Sequence, residues 1–196
     1  MKLDVVTVNS KDPYQDLVQF VEEGTNLFPL KIVDSINYAG EVEYPYDKKL
    51  FMNEEPIPSF DFRKLILRLN RIKGKNPLMA IITNHLVYLE SIFQQNGKYK
   101  ISYMPIRDYM EEVGFVCLLR LADQHMSKVI AHTIGHSRGL GHHKRPIDLM
   151  YAFLEPETHY PEPFCENCIY TLERSEGFLK MLEYKFRKYM KGLKPL

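Results

Sequence analysis

The chain has 196 residues, an ordinary globular composition and a formal net charge of +1. This length suits one domain with a core of its own, and the balanced charge gives no reason to expect nucleic acid or an anionic membrane as a partner. No apolar run in the sequence reaches the length of a membrane span. Asp4 interrupts the first apolar stretch, where a signal peptide would need an unbroken apolar segment. We therefore expect a cytoplasmic protein.

The spacing of apolar residues predicts strands and helices that alternate along the chain. The predicted elements are a strand at 3–8, a helix at 14–28, a strand at 30–39, a loop at 41–58, a helix at 60–72, strands at 77–83 and 98–105, a helix at 111–140 and a final helix at 169–190. Gly139 is expected to end the helix at 111–140, because glycine readily adopts the left-handed conformation found at helix ends. This order is typical of an α/β fold, in which helices pack on a sheet.

The three cysteines, Cys117, Cys165 and Cys168, are too few and odd in number for a disulfide framework. Cys117 lies in the apolar run GFVCLL and is predicted to be a buried thiol. Cys165 and Cys168 form the motif CENC, in which two thiols are close enough along the chain to share a metal ion or to form a disulfide.

Four histidines fall within the segment HTIGHSRGLGHH at residues 132–143. His132 and His136 are four residues apart, so a helix places both imidazoles on one face, one turn apart. Gly139 allows the backbone to turn sharply, and His142 follows three residues later. Three imidazole nitrogens with an open fourth position are typical of a catalytic zinc site. The alternative is a helix end whose histidines are solvated or hydrogen-bonded, with no metal.

The motif H-x-x-x-H-x-x-G-x-x-H, followed by Met150, is similar to that of the metzincin zinc proteases, which have HExxHxxGxxH and a methionine turn. Downstream, the chain has DLM at 148–150 and FCENC at 164–168. This order resembles the archaemetzincins, a metzincin family with HExxHxxGLxHC, then C-x-M, then F-C-x-x-C. The resemblance is specific over residues 132–168, whereas upstream only the order of strands and helices agrees.

The resemblance to archaemetzincins implies a single metzincin-like domain over residues 1–196, built on a twisted mixed sheet. Residues 1–140 would form the sheet-and-helix part that ends in the active-site helix. Residues 141–196 would carry the Met-turn, the CxxC motif and the C-terminal helix. Met150 would lie beneath the histidines as an apolar, polarisable floor, although without the motif it is equally an ordinary core residue. The resemblance further implies zinc as the cofactor and a peptide or protein as the ligand.

One departure from the family falls at position 133. The family has a glutamate there, which as general base takes a proton from zinc-activated water and later passes protons to the leaving amine. This chain has Thr133, whose hydroxyl group accepts no proton near neutral pH. Loss of a positioned general base costs about 10²–10⁴-fold in rate. We therefore expect impaired or absent peptidase activity, unless Glu111, Glu112 or Asp148 acts as a substitute base.

A second departure concerns the neighbouring zinc site, for which the family pattern adds two further cysteines to the CxxC motif. Here those two positions hold His143 and Asp148, while Cys165 and Cys168 remain. Thiolate, imidazole and carboxylate all bind zinc tetrahedrally, so the resemblance implies a second zinc at this site. It would bind more weakly than at four thiolates, because carboxylate is a harder ligand. An unoccupied CxxC and a disulfide between Cys165 and Cys168 are the alternatives.

These features are compatible with three functions. For each of them the sequence determines neither the substrate nor the oligomeric state. The first is a zinc-binding scaffold with a cleft but little hydrolysis. The second is an active zinc-dependent metallopeptidase or aminopeptidase that uses a substitute base, and the third is a protein whose zinc is purely structural. The first two differ at Thr133, so we expect that restoring a glutamate there raises activity.

Overall fold

The computed structural model describes residues 1–10, 14–144, 148–151 and 163–175. Its strands are β1 (Lys2–Val8), β2 (Ser35–Val42), β3 (Lys48–Met52), β4 (Glu55–Asp61), β5 (Leu78–Ile82), β6 (Leu86–Gln95), β7 (Lys98–Ile106), β8 (Asp108–Met110) and β9 (Val113–Cys117). Its helices are α1 (Tyr14–Asn26), α2 (Phe62–Ile72) and α3 (Asp123–Ser137), and residues 166–175 are also helical. No helix within these ranges is long and apolar enough to cross a membrane.

The strands form two mixed sheets. The first sheet has the order β2-β1-β5-β9-β8, in which β8 is antiparallel to β9 and all other neighbours are parallel. The second sheet has the order β3-β4-β6-β7, in which only β4 and β6 are parallel. The predicted α/β class with a mixed sheet is therefore confirmed, and the short strand β8 lies at an edge of the first sheet.

Two apolar clusters cover the two faces of the first sheet. Successive side chains of a strand point to opposite faces, so Val5 belongs to one cluster and Val6 to the other. The first cluster packs β1, β5 and β9 against α1 and α3, and it includes Phe164 and Leu172. The second cluster packs the opposite face against α2, β4 and β6. Because both faces are covered, β5 and β9 are buried along their whole length.

Helix α3, which carries the histidine motif, packs closely against α1 at Gly24. A Cβ atom at Gly24 would lie 2.8 Å from the carbonyl oxygen of Ser127 and 3.0 Å from Cγ2 of Ile130. Both partners belong to α3. The missing side chain at Gly24 therefore allows the two helix backbones to approach each other, and this approach sets the position of α3 over the sheet.

Several predicted elements are confirmed with small shifts of their ends, namely β1, α1, α2, β5 and β7. The predicted strand at 30–39 is shifted along the chain, because β2 spans Ser35–Val42. The predicted loop at 41–58 is wrong, since it contains β3 and part of β4. Pro56 and Pro58 favoured a loop, but both lie where β4 pairs with β3 alone. A strand tolerates proline where one edge needs no N–H donor.

The predicted helix at 111–140 is wrong in its first part. Residues Val113–Cys117 form β9, and α3 begins only at Asp123. A short apolar run such as GFVCLL suits a buried strand or a buried helix by composition alone, and here pairing with β5 and β8 makes it a strand. Arg120, with a φ of 58°, turns the chain between strand and helix. The buried thiol predicted at Cys117 is confirmed.

No strand was predicted at β6, although the turn that follows this strand has a clear sequence signal. β6 and β7 form a long antiparallel hairpin. Asn96 and Gly97 form its two-residue turn with φ values of 52° and 73°, and an Asn-Gly pair favours this conformation. Within the last predicted helix at 169–190, residues up to 175 are helical and the remainder lie outside the described residues.

Candidate metal centre

Hydrogen bonds at the end of α3 turn the chain back toward the histidines of the helix. The Leu140 N–H donates to the Gly135 carbonyl at 3.1 Å, and the Gly139 N–H donates to the His136 carbonyl at 3.0 Å. This pair of bonds is a Schellman motif, for which Gly139 supplies the positive φ of 81°. The prediction that Gly139 ends the helix is confirmed, and the turn brings His142 to the face that carries His136.

The Nε2 atoms of three histidines converge on one point. They lie 3.0 Å apart for His132 and His136, 2.9 Å for His136 and His142, and 3.2 Å for His142 and His132. A tetrahedral zinc ion with bonds of about 2.0–2.1 Å holds its nitrogen ligands about 3.3 Å apart. The three nitrogen atoms therefore have nearly the spacing of one face of a zinc tetrahedron.

Backbone carbonyl groups hold two of these imidazoles in the orientation that zinc requires. Nδ1 of His136 donates to the Leu140 carbonyl at 2.9 Å, and Nδ1 of His132 donates to the Leu149 carbonyl. A carbonyl only accepts, so each Nδ1 carries the proton and each Nε2 presents a lone pair. Burial lowers the pKa of His136 and of His142, and a neighbouring histidine lowers each pKa further. The neutral, metal-binding form is therefore favoured.

Thr133 is fully buried on α3, between the first two histidines of the motif. Its hydroxyl group lies 2.9 Å from the Val129 carbonyl oxygen and 3.3 Å from Oδ2 of Asp108. Because the hydroxyl has one proton, it donates to one of these acceptors at a time. Asp108 Oδ2 also lies 3.5 Å from Nε2 of His132. A carboxylate from β8 therefore stands beside both Thr133 and a metal-binding nitrogen.

No sequence pattern pointed to Asp108. It precedes Thr133 by 25 residues, and no motif spacing connects it to the histidines. It reaches the site because β8 pairs with β9, with Asp108 opposite Val116. The region just after Asp108 was expected to be helical. Correct pairing of the two strands is the signal that would have located this carboxylate.

The three carboxylates considered from the sequence as substitute bases lie elsewhere. Glu112 forms an ion pair with Lys73 at 3.1 Å and is 84% exposed. Glu111 is hydrogen-bonded to Tyr109, whose side chain packs against the cluster on the opposite face of the sheet. Burial and this hydrogen bond raise the pKa of Tyr109. Asp148 is fully buried in the second group of donor atoms described next. Asp108 is the carboxylate that stands beside Thr133.

A second group of potential metal ligands comprises His143, Asp148, Cys165 and Cys168. Nε2 of His143 lies 3.1 Å from Sγ of Cys168, 3.3 Å from Sγ of Cys165 and 3.3 Å from Oδ2 of Asp148. Both thiols are free. Burial, Asp148 and Cys165 together raise the pKa of Cys168, so the ionised forms oppose one another unless a cation lies between them. The structure therefore brings together the four residues singled out in the sequence.

Met150 lies against the backbone of α3 and is fully buried. A Cβ atom at Gly135 would lie 2.7 Å from the Met150 sulfur, so the thioether packs on the helix next to His136. The His143 N–H donates to the Met150 carbonyl at 2.7 Å, and the Met150 N–H donates to Asp148 Oδ1 at 2.8 Å. These contacts attach residues 148–150 to α3 and to His143.

Two solved structures share this arrangement of sheets and helices. Archaemetzincin from Methanopyrus kandleri is 19% identical, with a TM-score of 0.61, and the match covers 90% of this chain and 96% of that chain. A zinc-dependent peptidase from Methanocorpusculum labreanum is 16% identical, with a TM-score of 0.57, and the match covers 86% of this chain and 99% of that one. No family model and no curated protein matches the sequence.

Identities this low establish the fold and leave the activity to be argued from the site. The class is a mixed α/β protein with two sheets and a histidine-bearing helix. Its fold is the archaemetzincin fold, which confirms the fold that the motif resemblance implied.

Proposed function

We propose that the chain binds one zinc ion through His132, His136 and His142, and that a peptide or protein ligand binds at an open position of this ion. The triangle of Nε2 atoms, 2.9–3.2 Å on a side, carries the proposal. Among the described residues, these three histidines form a group whose donor atoms all lie within 4.8 Å of one another, and no fourth ligand residue belongs to that group. Zinc sites with three protein ligands keep a position for water and substrate.

A purely structural role for this zinc is less well supported. Structural zinc sites are closed by four protein ligands, whereas this group has three. His142 is exposed, so solvent and a ligand have access to the group from that side. The group of His143, Asp148, Cys165 and Cys168, with four donors, has the composition of a structural site.

A zinc ion bound by the three histidines would supply Lewis acidity, which activates water near neutral pH and polarises a peptide carbonyl. Thr133 contributes no proton acceptor to that chemistry, because a hydroxyl group accepts no proton near neutral pH, and this one is buried against the Val129 carbonyl oxygen. We therefore propose a peptidase weakened by the loss of the helix-borne base, a loss that costs about 10²–10⁴-fold. The fold shared with the zinc-dependent peptidase from Methanocorpusculum labreanum supports peptides as the ligand class.

Metal analysis of matched variants tests the zinc site. The full chain is purified without chelators, and His136→Ala is expected to bind one equivalent of zinc less than the wild type, because two imidazoles leave the site short of ligands. His125→Ala is the matched control, since His125 lies on α3 but outside both donor groups. The proposal is wrong if His136→Ala and wild type bind the same amount of zinc after both are titrated with the ion.

A further inference from the structure

We infer that Asp108 of β8 is the proton acceptor for the water that attacks the bound carbonyl group. The catalytic carboxylate would thus come from strand β8, while Thr133 occupies the position on α3 at which the archaemetzincin motif has its glutamate. The inference rests on the proposed zinc function and deepens it, because it assigns the residual hydrolysis to a particular carboxylate. It also names a residue that the histidine motif does not contain.

The position of Asp108 follows from the sheet. β8 pairs with β9 at the edge of the first sheet, with Asp108 opposite Val116. Its carboxylate is 18% exposed and lies at 3.3 Å from the Thr133 hydroxyl and 3.5 Å from Nε2 of His132. A carboxylate so placed lies beside one metal-binding nitrogen and still has contact with solvent, from which the attacking water must come.

The distances distinguish a proton acceptor from a fourth metal ligand. A fourth tetrahedral ligand lies about 3.3 Å from each of the three nitrogens. Asp108 approaches His132, but it does not belong to the set of donor atoms that all lie within 4.8 Å of one another. Asp108 is therefore not a fourth member of the histidine group, and its carboxylate lies between Nε2 of His132 and the hydroxyl group of Thr133.

Thr133 and Asp108 are complementary in length. A glutamate side chain extends two bonds beyond the γ position, whereas threonine ends there and leaves space in front of its hydroxyl group. Asp108 Oδ2 occupies that space, 3.3 Å from Thr133 Oγ1. When the hydroxyl donates to Asp108 it fixes one carboxylate oxygen through a charge-assisted hydrogen bond, and the carboxylate keeps further lone pairs for water.

The proton balance is that of general-base hydrolysis. Asp108 accepts one proton from water as the water oxygen bonds to the carbonyl carbon of the peptide. The C–N bond then breaks, and the proton on Asp108 moves to the leaving nitrogen. The products are a carboxylic acid and an amine, and Asp108 is again a carboxylate. No oxidant or further reactant is needed.

Asp108→Asn tests the inference, because it keeps the shape and removes the proton acceptor. Glu112→Gln is the matched control, since that carboxylate lies near the same strand but is paired with Lys73. With equal zinc content, Asp108→Asn is expected to hydrolyse a pool of diverse peptides about 10²-fold more slowly, or worse. Glu112→Gln is expected to match the wild type.

Ligand binding to the cobalt-substituted proteins gives a second readout that needs no turnover. Acetohydroxamate carries a proton that a neighbouring carboxylate accepts, so Asp108→Asn should weaken its binding at least about tenfold, as expected for a hydrogen bond to a charged group. Azide is an anion without a proton, so its binding should be unchanged or tighter once the negative charge of Asp108 is removed. Visible absorption of the cobalt ion reports both affinities.

The outcomes separate this inference from the proposed function. If the wild type binds no zinc at the histidines, the proposed function fails and the inference fails with it. If zinc is bound but Asp108→Asn retains full hydrolysis or full acetohydroxamate affinity, the inference alone is overturned. If Asp108→Asn loses the zinc itself, Asp108 is a metal ligand and the inference is also overturned. Where wild-type hydrolysis is too slow to measure, weaker binding of acetohydroxamate without weaker binding of azide decides.

Discussion

At the scale of single residues, Thr133 and Asp108 form a contact between two elements that approach the site from different directions. The hydroxyl of Thr133 has two acceptors within reach, the Val129 carbonyl on its own helix and the Asp108 carboxylate on β8. A glutamate at position 133 would place a second carboxylate against Asp108. Two carboxylates in contact at a largely buried site oppose each other's ionisation. Asp108 and a glutamate at position 133 are therefore alternative proton acceptors.

This opposition makes a specific prediction for Thr133→Glu. The single substitution is expected to raise peptide hydrolysis, because a glutamate there can accept the proton from water, but Asp108 limits the gain. In the Asp108→Asn background the same substitution should raise the rate by about 10²-fold or more over Asp108→Asn alone. Initial rates on a pool of diverse peptides, measured at matched zinc occupancy, check both values.

A substitution of matched length interprets that experiment. Thr133→Gln in the Asp108→Asn background is the control, because it has the length of glutamate and no basic oxygen. An increase with glutamate but not with glutamine identifies proton transfer as the missing step. Equal rates for Thr133→Glu and Thr133→Gln would contradict the prediction and show that position 133 no longer faces the water.

The three histidine ligands could be found in the sequence because they depend on short-range spacing, whereas the second group was implied only by the resemblance to archaemetzincins. His132 and His136 share a helix face, and the Schellman turn at Gly139 returns His142 to that face within one short segment. Asp108 could not be found in this way. Its place depends on the pairing of two strands at the edge of the sheet, and pairing between strands leaves no fixed spacing in the sequence.

At the scale of the elements, the position of the histidine helix depends on how closely α1 approaches it. Gly24 lies where a side chain would meet the Ser127 carbonyl oxygen and the Ile130 side chain of α3. A backbone oxygen cannot move without shifting the helix that contains it. The contact at Gly24 therefore fixes how α3 packs on α1, and with it the position of the histidines that follow on α3.

Gly24→Ala is expected to destabilise the fold. Alanine improves the helix propensity of α1 by up to about 1 kcal/mol, but overpacking a tight contact costs about 1–3 kcal/mol. We expect a net loss of about 1–2 kcal/mol in the free energy of unfolding, measured by urea denaturation. Gly74→Ala is the control: its Cβ would lie 3.7 Å from Asp4 Oδ2, an ordinary contact, so its effect should stay within about 0.5 kcal/mol. Equal effects of the two substitutions would contradict this account.

The elements themselves differ in how far their sequences determine them. β1 and α2 could be predicted because apolar spacing and turn residues agree there. β9 was misread as helix because five consecutive buried residues have no strand period, and only the neighbouring strands define it. β4 was missed because Pro56 and Pro58 are unfavourable in most strands. Their tolerance depends on the partner at each edge, which a single sequence does not display.

At the scale of the whole molecule, the second group of donor atoms links two separate segments to the core. His143 and Asp148 come from the chain after α3, whereas Cys165 immediately precedes the helical residues 166–175 and Cys168 lies in their first turn. Cys168 and Leu172 are also part of the apolar cluster under the first sheet. A metal ion at this group would therefore stabilise the docking of these residues, in addition to their apolar burial.

The last prediction concerns this second group. Cys168→Ser is expected to bind one equivalent of zinc less than the wild type, while His136-dependent zinc remains, because serine is a poor zinc ligand beside thiolate. Amide hydrogen exchange should become faster at residues 148–151 and 166–175, where the metal joins two segments. β5 and β9 should keep their protection, because both faces of these strands stay covered.

Removal of the metal from the wild type should destabilise the protein in the same way as Cys168→Ser. A chelator is expected to lower the unfolding midpoint of the wild type more than that of Cys168→Ser, by about 2–4 °C for each kcal/mol that the bound ion contributed. Cys117→Ser is the control for loss of a thiol, because Cys117 is buried away from both donor groups and its thiol donates to the His85 carbonyl. Unchanged zinc content in Cys168→Ser would show that the four donors meet without binding zinc. Apolar contacts at Phe164, Cys168 and Leu172 would then account for the docking of residues 163–175.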